Sequence, residues 1–216
     1  DNVVAKMKLS PDGRLRTQYS MTTANTGRLS SRKNYDKTGA NLQNVEEKYR
    51  GMVVPDEGKV FFGGDLMQAE VRLTAYEAEE LEMVKVFEEG RNVHKFMASQ
   101  LFGLKEEEVV KDNAPTSAYG KSKRCVHAFD YGLGAQHASE LIGCTQAEAK
   151  AFKARYFKRF PKILAWQEAI RQRAEFDRCI VTPLGRRRIF FGRYNEDLVR
   201  AMIAHGPQSS CVDYLN

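Results

Sequence analysis

The sequence has few cysteines, and no two of them form a C-x-x-C pair. Cys125, Cys144, Cys179 and Cys211 are widely spaced, and the four histidines are equally scattered. That pattern argues against a zinc site and for reduced thiols in a cytosolic setting. Long apolar runs are also missing. None approaches the roughly 18–20 residues that a membrane helix needs, and no basic-then-apolar leader opens the chain. Internal repeats and low-complexity tracts are absent, which argues against a repeat array.

What remains is a polar globular chain of 216 residues, 42% hydrophobic and 29% charged, enough for one large domain or two small ones. Lys and Arg number 34 against 28 Asp and Glu, a net charge of +6. A basic balance suits a polyanion partner, most commonly nucleic acid, and suits a basic protein with no such partner equally well. The chain opens on Asp1 and stops at "CVDYLN" inside a helical pattern, so an excised or partial piece is expected at least as much as a natural terminus.

Pro11-Asp12-Gly13 is a turn signal between short alternating segments, so a hairpin is expected there. Residues 23–44 show no helical period and read as ordered loop or linker. "GKVFFGGD", residues 58–65, reads as a buried strand with Asp65 at its tip. Helical spacing follows, with Val71, Ala75, Ala78, Leu81 and Val84 as apolar positions. A short helix runs from an Asn92 cap to a Gly103 stop. Thr145 and Glu148 form a capping box, and Pro161 kinks or breaks the helix they start. "CIVTPLGRRRIFF" reads as two strands about a turn. The last stretch is helical with a Gly206-Pro207 interruption. The fold class is α+β, mostly helix with a small antiparallel or mixed sheet.

Two segments carry chemistry. In "DLMQAEVR" a carboxylate at a strand tip, followed by a loop carbonyl, suits a hard divalent cation; the competing reading is that Asp65 caps the next helix. In "YGKSKRCVHAFDYGLG", Tyr119, Lys123, His127 and Tyr131 recur every four residues. Each step drifts only about 40° around a helix, so the four side chains form one slowly turning stripe. The stripe is not apolar, and core packing does not explain it easily. Lysine can meet phosphate as a point charge, and the rings can meet a sugar or base. The alternative is a solvated basic helix with its rings packed on a neighbour.

Together the two segments resemble the first palm motif and the fingers helix of family A DNA polymerases, the group that includes bacterial DNA polymerase I and several phage replicases. "TGRLSS", "NLQN", "NVH", "LGRRR" and "RAMIAHGPQSS" follow the family's pattern in the family's order, so the resemblance spans nearly the whole chain. It implies a mainly helical fingers subdomain attached to part of a small antiparallel palm sheet. On that reading residues 1–80 are partial palm with the first catalytic motif, 81–175 the fingers, and 176–216 a hairpin and the start of a palm helix.

The resemblance implies nucleotidyl transfer from a dNTP to a primer 3′-hydroxyl by a two-metal mechanism. Asp65 and the Leu66 carbonyl are then ligands to two Mg²⁺ ions, with Asp65 and Lys123 catalytic. Glu70, His94, Lys123, His127 and Tyr131 are the nucleotide-binding set, Glu70 blocking a 2′-hydroxyl while bonded to Tyr131. Arg28, Gln43, Arg200 and Gln208 contact primer-template DNA. Arg186 to Arg188 either stabilise the fold or meet phosphate. Four departures stand out: Tyr119 where the family usually has arginine, His127 where it has Phe or Tyr, Ala204 where it often has asparagine, and no second catalytic carboxylate. A further polypeptide or parent-chain segment is therefore expected to bring that aspartate and the thumb, in the cytoplasm of a bacterial or phage-infected cell. The other classes to weigh are an inactive nucleic-acid or nucleotide-binding module and a ribose-tolerant polymerase.

Overall fold

A side chain can end one helix and begin another, and here the most informative breaks have that origin. The computed structural model describes residues 7–215. Its contacts divide the chain into two units, one ending at Leu66 and one beginning at Met67.

In the first unit, β1 (Gln18–Ser20) pairs antiparallel with β2 (Ser30–Arg32), Tyr19 opposite Ser31. The Pro11-Asp12-Gly13 turn forms, with the Gly13 amide donating to the Ser10 carbonyl at 2.9 Å. The strand that pairs with β1, however, comes from the stretch read as loop. Gln43, in a 3₁₀ turn over Leu42–Asn44, supplies the reason. Its amide accepts from the Ser31 N–H at 2.9 Å and donates to the Leu29 carbonyl at 2.8 Å, holding the strand's backbone by side chain alone. Gly39 closes the unit: at φ 78° its absent Cβ would lie 2.1 Å from the Arg16 carbonyl oxygen. A four-residue helix, α1 (Glu47–Arg50), follows.

The expected buried strand at residues 58–65 does not form. Val60, Phe61 and Phe62 are 87%, 68% and 96% exposed. A strand needs ladder partners for its backbone. Among the described residues β1 pairs only with β2, and β3 with β4, so an apolar run alone does not become sheet.

The second unit is helical. The single helix expected after Asp65 is two, α2 (Ala69–Glu77) and α3 (Leu81–Glu88). Glu79 adopts a positive φ of 53° and Glu80 turns inward. Only 5% exposed, Glu80 accepts from the Lys162 amide at 2.9 Å and so caps a distant helix. Val71, Ala75, Ala78 and Val84 are buried as expected, whereas Leu81 is 75% exposed because the break rotates it outward. Nor does Asp65 cap α2, whose N-cap is Gln68.

Other helices obey their local signals. α4 (Val93–Phe102) starts with Asn92 accepting from the His94 and Lys95 amides and ends at Gly103, φ 69°. α5 (Ala118–Asp130) starts with Ser117 accepting from the Gly120 amide. α6 (Ala135–Ile142) leads to α7 (Gln146–Arg159), which opens on the Thr145–Glu148 capping box. α8 (Pro161–Phe176) has its proline at the first helical position, where no N–H is needed. β3 (Cys179–Val181) and β4 (Arg187–Ile189) form the second antiparallel pair, Ile180 opposite Arg188.

α9 (Glu196–Leu215) runs through Pro207 without the expected interruption. Proline removes one helical bond, but Gly206, Pro207, Ser209 and Ser210 are buried, and α9 packs along α2. Tertiary contact holds what local propensity would break. The main core joins α2 to α8 through Met83, Phe87, Met97, Phe129, Tyr156 and Phe160. A second cluster, with Ile170, Ile180, Phe190, Met202 and Ile203, ties α8 and the β3–β4 pair to α9. The fold is thus α+β, with nine α-helices and two small antiparallel sheets among the described residues.

Candidate active site

α5 is the element on which the site is built. Its start is fixed by the loop before it: Gly120 lies so close that a Cβ would meet the Ala114 carbonyl oxygen at 2.1 Å. That loop carries Asn113, whose Oδ1 accepts from Lys123 Nζ at 3.2 Å. The lysine is therefore aimed along the exposed side of α5 and held by a neutral partner, which leaves its charge uncompensated by that contact.

The stripe is less uniform than its spacing suggests. Tyr119 is 3% exposed and packs with Ala98 and Val109, so its phenol belongs to the core. This corrects the expectation that core packing does not account for the stripe. Between Tyr119 and His127 sits His94 of α4. Its ring meets Tyr119 edge-on at 5.8 Å and His127 at 5.6 Å. The Ser122 hydroxyl donates to the His94 carbonyl at 2.7 Å and locks α4 to α5. His94 is buried, and its Nδ1 has no hydrogen-bond partner.

Electrostatics follow from that packing. Burial, then the charges of His127 and Lys123, hold the His94 imidazole down at about 3. Burial, then Lys123, also lowers His127. Near neutral pH the site therefore presents one ammonium beside two neutral imidazoles, which can act as hydrogen-bond donors or acceptors without adding charge.

At the far end of α5, the Tyr131 hydroxyl donates to Glu70 Oε2 on the first turn of α2. Tyr131 is the C-cap, and Gly132 at φ 70° allows the helix to end. The Leu133 amide bonds back to the Ala128 carbonyl at 2.8 Å and the Gly132 amide to that of Phe129 at 3.0 Å, a Schellman stop. Structure thus brings Glu70, His94, Lys123, His127 and Tyr131 to α5 and the helix starts beside it.

On α9, Arg200, Ala204 and Gln208 are spaced by four, and each is partly exposed. Arg200 is paired with Asp197 one turn earlier. Arg186 is committed to the fold: its Nε lies 3.0 and 2.9 Å from the two oxygens of Asp213 on α9. Arg188 lies over the Phe190 ring at 4.2 Å. In the first unit Arg28 is exposed, and the Gln43 amide is already engaged by backbone.

Asp65 and Leu66 follow Gly63-Gly64 in exposed chain. Their oxygens are of the kind a hard cation takes. Among the described residues, though, no group of three or more His, Cys, Asp or Glu gathers to hold a metal ion. The donors fit such an ion in kind and not in number.

Sequence reading missed a buried polar group behind the site. Asp130 is 2% exposed and accepts from the Tyr156 hydroxyl, and Gln167 donates to two carbonyls at the end of α5. A signal was available: a carboxylate in the last turn of a helix opposes the helix dipole and calls for a local reason. Glu77, half-buried and accepting from the Ser210 hydroxyl at 3.3 Å, was also missed. Its place in a helical run looked like that of any surface glutamate.

Comparison with known proteins bears on the chain as a whole. The model for DNA polymerase family A matches residues 2–210. Thermostable DNA polymerase I of Thermus aquaticus is 32% identical over 185 residues, 82% of this chain and 21% of that protein. DNA polymerase I of Pseudomonas aeruginosa is 31% identical over 181 residues, 81% of this chain and 19% of that protein. The chain therefore spans about a fifth of the length of these relatives. A solved structure, the POL domain of Pol1 from M. smegmatis in complex with DNA primer-template and dNTP, superposes with a TM-score of 0.78 at 26% identity. It covers 96% of this chain and 37% of that one. A match over nearly the whole chain, in sequence and in fold, makes this protein a member of DNA polymerase family A.

Proposed function

We propose that this chain is the fingers and part of the palm of a DNA-templated DNA polymerase, which transfers a nucleotidyl group from a dNTP to a primer 3′-hydroxyl. The observation that carries the reading is the hydrogen bond from Tyr131 to Glu70 at one end of a helix whose other turns present His127 and Lys123. That order gives a sugar-side contact, a ring and a cation along one ridge. It runs in the direction a nucleotide spans from sugar to triphosphate. Family membership and the ligands named for the M. smegmatis structure support it.

In this reading Lys123 binds the triphosphate and donates a proton to the pyrophosphate leaving group. His94, neutral and buried behind it, orients the phosphate end. His127 lies along the sugar, and Glu70, fixed by Tyr131, occupies the space of a 2′-hydroxyl. Arg28, Gln43, Arg200 and Gln208 meet primer-template backbone or minor groove, where contacts report shape more than sequence. Family A polymerases generally use divalent metal ions. Here Asp65 and the Leu66 carbonyl are proposed as ligands of two Mg²⁺ ions, with the second carboxylate and the thumb supplied by a parent segment or partner in a bacterial or phage-infected cell.

The test is primer extension by the polymerase that contains this segment. Asp65→Ala should abolish synthesis, and undiminished extension would sink the reading. Glu70→Ala should raise ribonucleotide incorporation relative to deoxynucleotide; unchanged selectivity removes the assigned role of Glu70. The net charge of +6 also suits a second reading, a non-catalytic module that grips nucleic acid or nucleotide. Retained primer-template binding with no extension, whatever polypeptide is added, selects it.

A further inference from the structure

The C-terminal end of α5 is held by two helices that the nucleotide-binding reading does not use. Gln167 of α8 is 6% exposed, and its Nε2 donates to the carbonyls of Phe129, at 2.6 Å, and Asp130, at 2.9 Å. These are the last two carbonyls of the helix, groups that a helix end leaves without intrahelical partners. The Asp130 carboxyl accepts from the Tyr156 hydroxyl of α7, and its Oδ2 is buried with no partner. Lys153, also of α7, reaches the Leu133 carbonyl at 3.1 Å. Gly132 sits between these anchors, with space for a Cβ limited by Ile203 at 3.1 Å. The backbone on both sides of Tyr131 is therefore fixed by side chains from outside α5.

Apolar side chains would fill this space without the desolvation cost that buried polar groups carry. Hydrogen bonds add direction: they fix the carbonyls, and through them the peptide that carries Tyr131. We propose that Asp130 and Gln167, with Tyr156, form a buried latch that sets the position of Tyr131 and so act as positioning residues for the incoming nucleotide. Neither touches the site's open face; both act through the helix end. Burial pushes the Asp130 carboxyl up to about 7, which suits an acid enclosed at a helix C-terminus without a cation. The inference rests on the nucleotide-binding reading for its consequence, though not for the latch itself.

The experiment compares Gln167→Leu, Asp130→Leu and Asp130→Asn in the polymerase that contains this segment. Two readouts apply: steady-state kinetics of nucleotide incorporation and amide hydrogen exchange at Gly132 and Leu133. Each Leu variant should raise KM for dNTP about tenfold with kcat nearly unchanged, and should weaken deoxyribose selectivity. The Gly132 and Leu133 amides should exchange faster. Asp130→Asn keeps an oxygen for the Tyr156 hydroxyl and should recover most of both. The Asp130→Leu, Gln167→Leu, Tyr156→Phe variant removes the buried polar side chains together and should remain folded, yet show the same KM and exchange defects.

Unchanged exchange and KM in folded Leu variants would overturn the latch. So would an Asn variant as impaired as the Leu variant. If Tyr131→Phe leaves KM and selectivity untouched while the exchange changes appear, the nucleotide reading of the site fails and the latch stands as the anchor of the helix end.

Discussion

At the scale of single residues, His94 is the clearest case of environment deciding chemistry. A histidine on a short helix is ordinarily half protonated near its reference value of about 6.5. Here burial, then the neighbouring His127 and Lys123, depress it to about 3. The folded state therefore sheds a proton that the unfolded chain keeps between pH 6.5 and 3, and stability falls as pH drops through that window. We predict that the His94 ring remains neutral at pH 5 in an NMR titration. His94→Asn should flatten the acid limb of a melting-temperature profile between pH 6.5 and 4; a steep limb that survives the change would place the acid sensitivity elsewhere. Much of this neighbourhood was legible beforehand. Lys123, His127, Tyr131 and Glu70 follow from spacing and from the family's motif order. Tyr119 was not, because a phenol tolerates core and surface alike, and only Ala98 and Val109, brought from two other segments, decide its place.

At the scale of elements, local signals were read correctly where the chain itself satisfies them. The Asn92 cap, the Thr145–Glu148 box and the Tyr131-Gly132 stop all close their hydrogen bonds within a few residues. The misreadings occur where a distant partner decides. Glu80 breaks one helix to cap another 82 positions away. Pro207 stays helical because α9 is packed on α2. The strand at residues 58–65 has no partner among the described residues. Glu77 shows what the α2–α9 contact costs. Its carboxylate sits against bare backbone at Gly206, where a Cβ would be 2.5 Å from Oε2, and burial raises it to about 7. The folded state then holds a proton that the unfolded chain loses from pH 4.5 upward. Stability should fall between pH 4.5 and 7, by on the order of 3 kcal/mol for a shift of this size. Glu77→Gln is expected to match wild type in melting temperature at pH 4.5 and exceed it at pH 8. A variant less stable than wild type at pH 8 would mean that the charged form is favoured in the fold.

At the scale of the whole molecule, the charge of +6 does not distinguish cations that the fold ties up from those it leaves to a partner. Arg186 and Arg200 are the instructive pair, since both have a carboxylate partner. Asp213, which holds Arg186, has a side chain only 16% exposed, and the contact is bidentate. Asp197, beside Arg200, is 85% exposed and one turn away on the same helix. An exposed pair of that kind contributes little and yields easily to a competing anion. Under the proposed function Arg200 would thus be the arginine that meets a DNA phosphate, whereas releasing Arg186 would strip a partly buried anchor from α9. Each phosphate neutralised on duplex DNA releases counterions and contributes about 0.9 to the slope of log affinity against log salt. Primer-template binding by the polymerase should accordingly weaken with added salt, and Arg200→Gln should lower the slope by about one. Arg186→Gln should instead lower the melting temperature and leave the slope of the folded protein unchanged. If the two arginines exchange these behaviours, the turn at residues 184–188 is the phosphate contact and α9 is a structural strut. A salt-independent affinity would remove nucleic-acid phosphate from the description of this surface altogether.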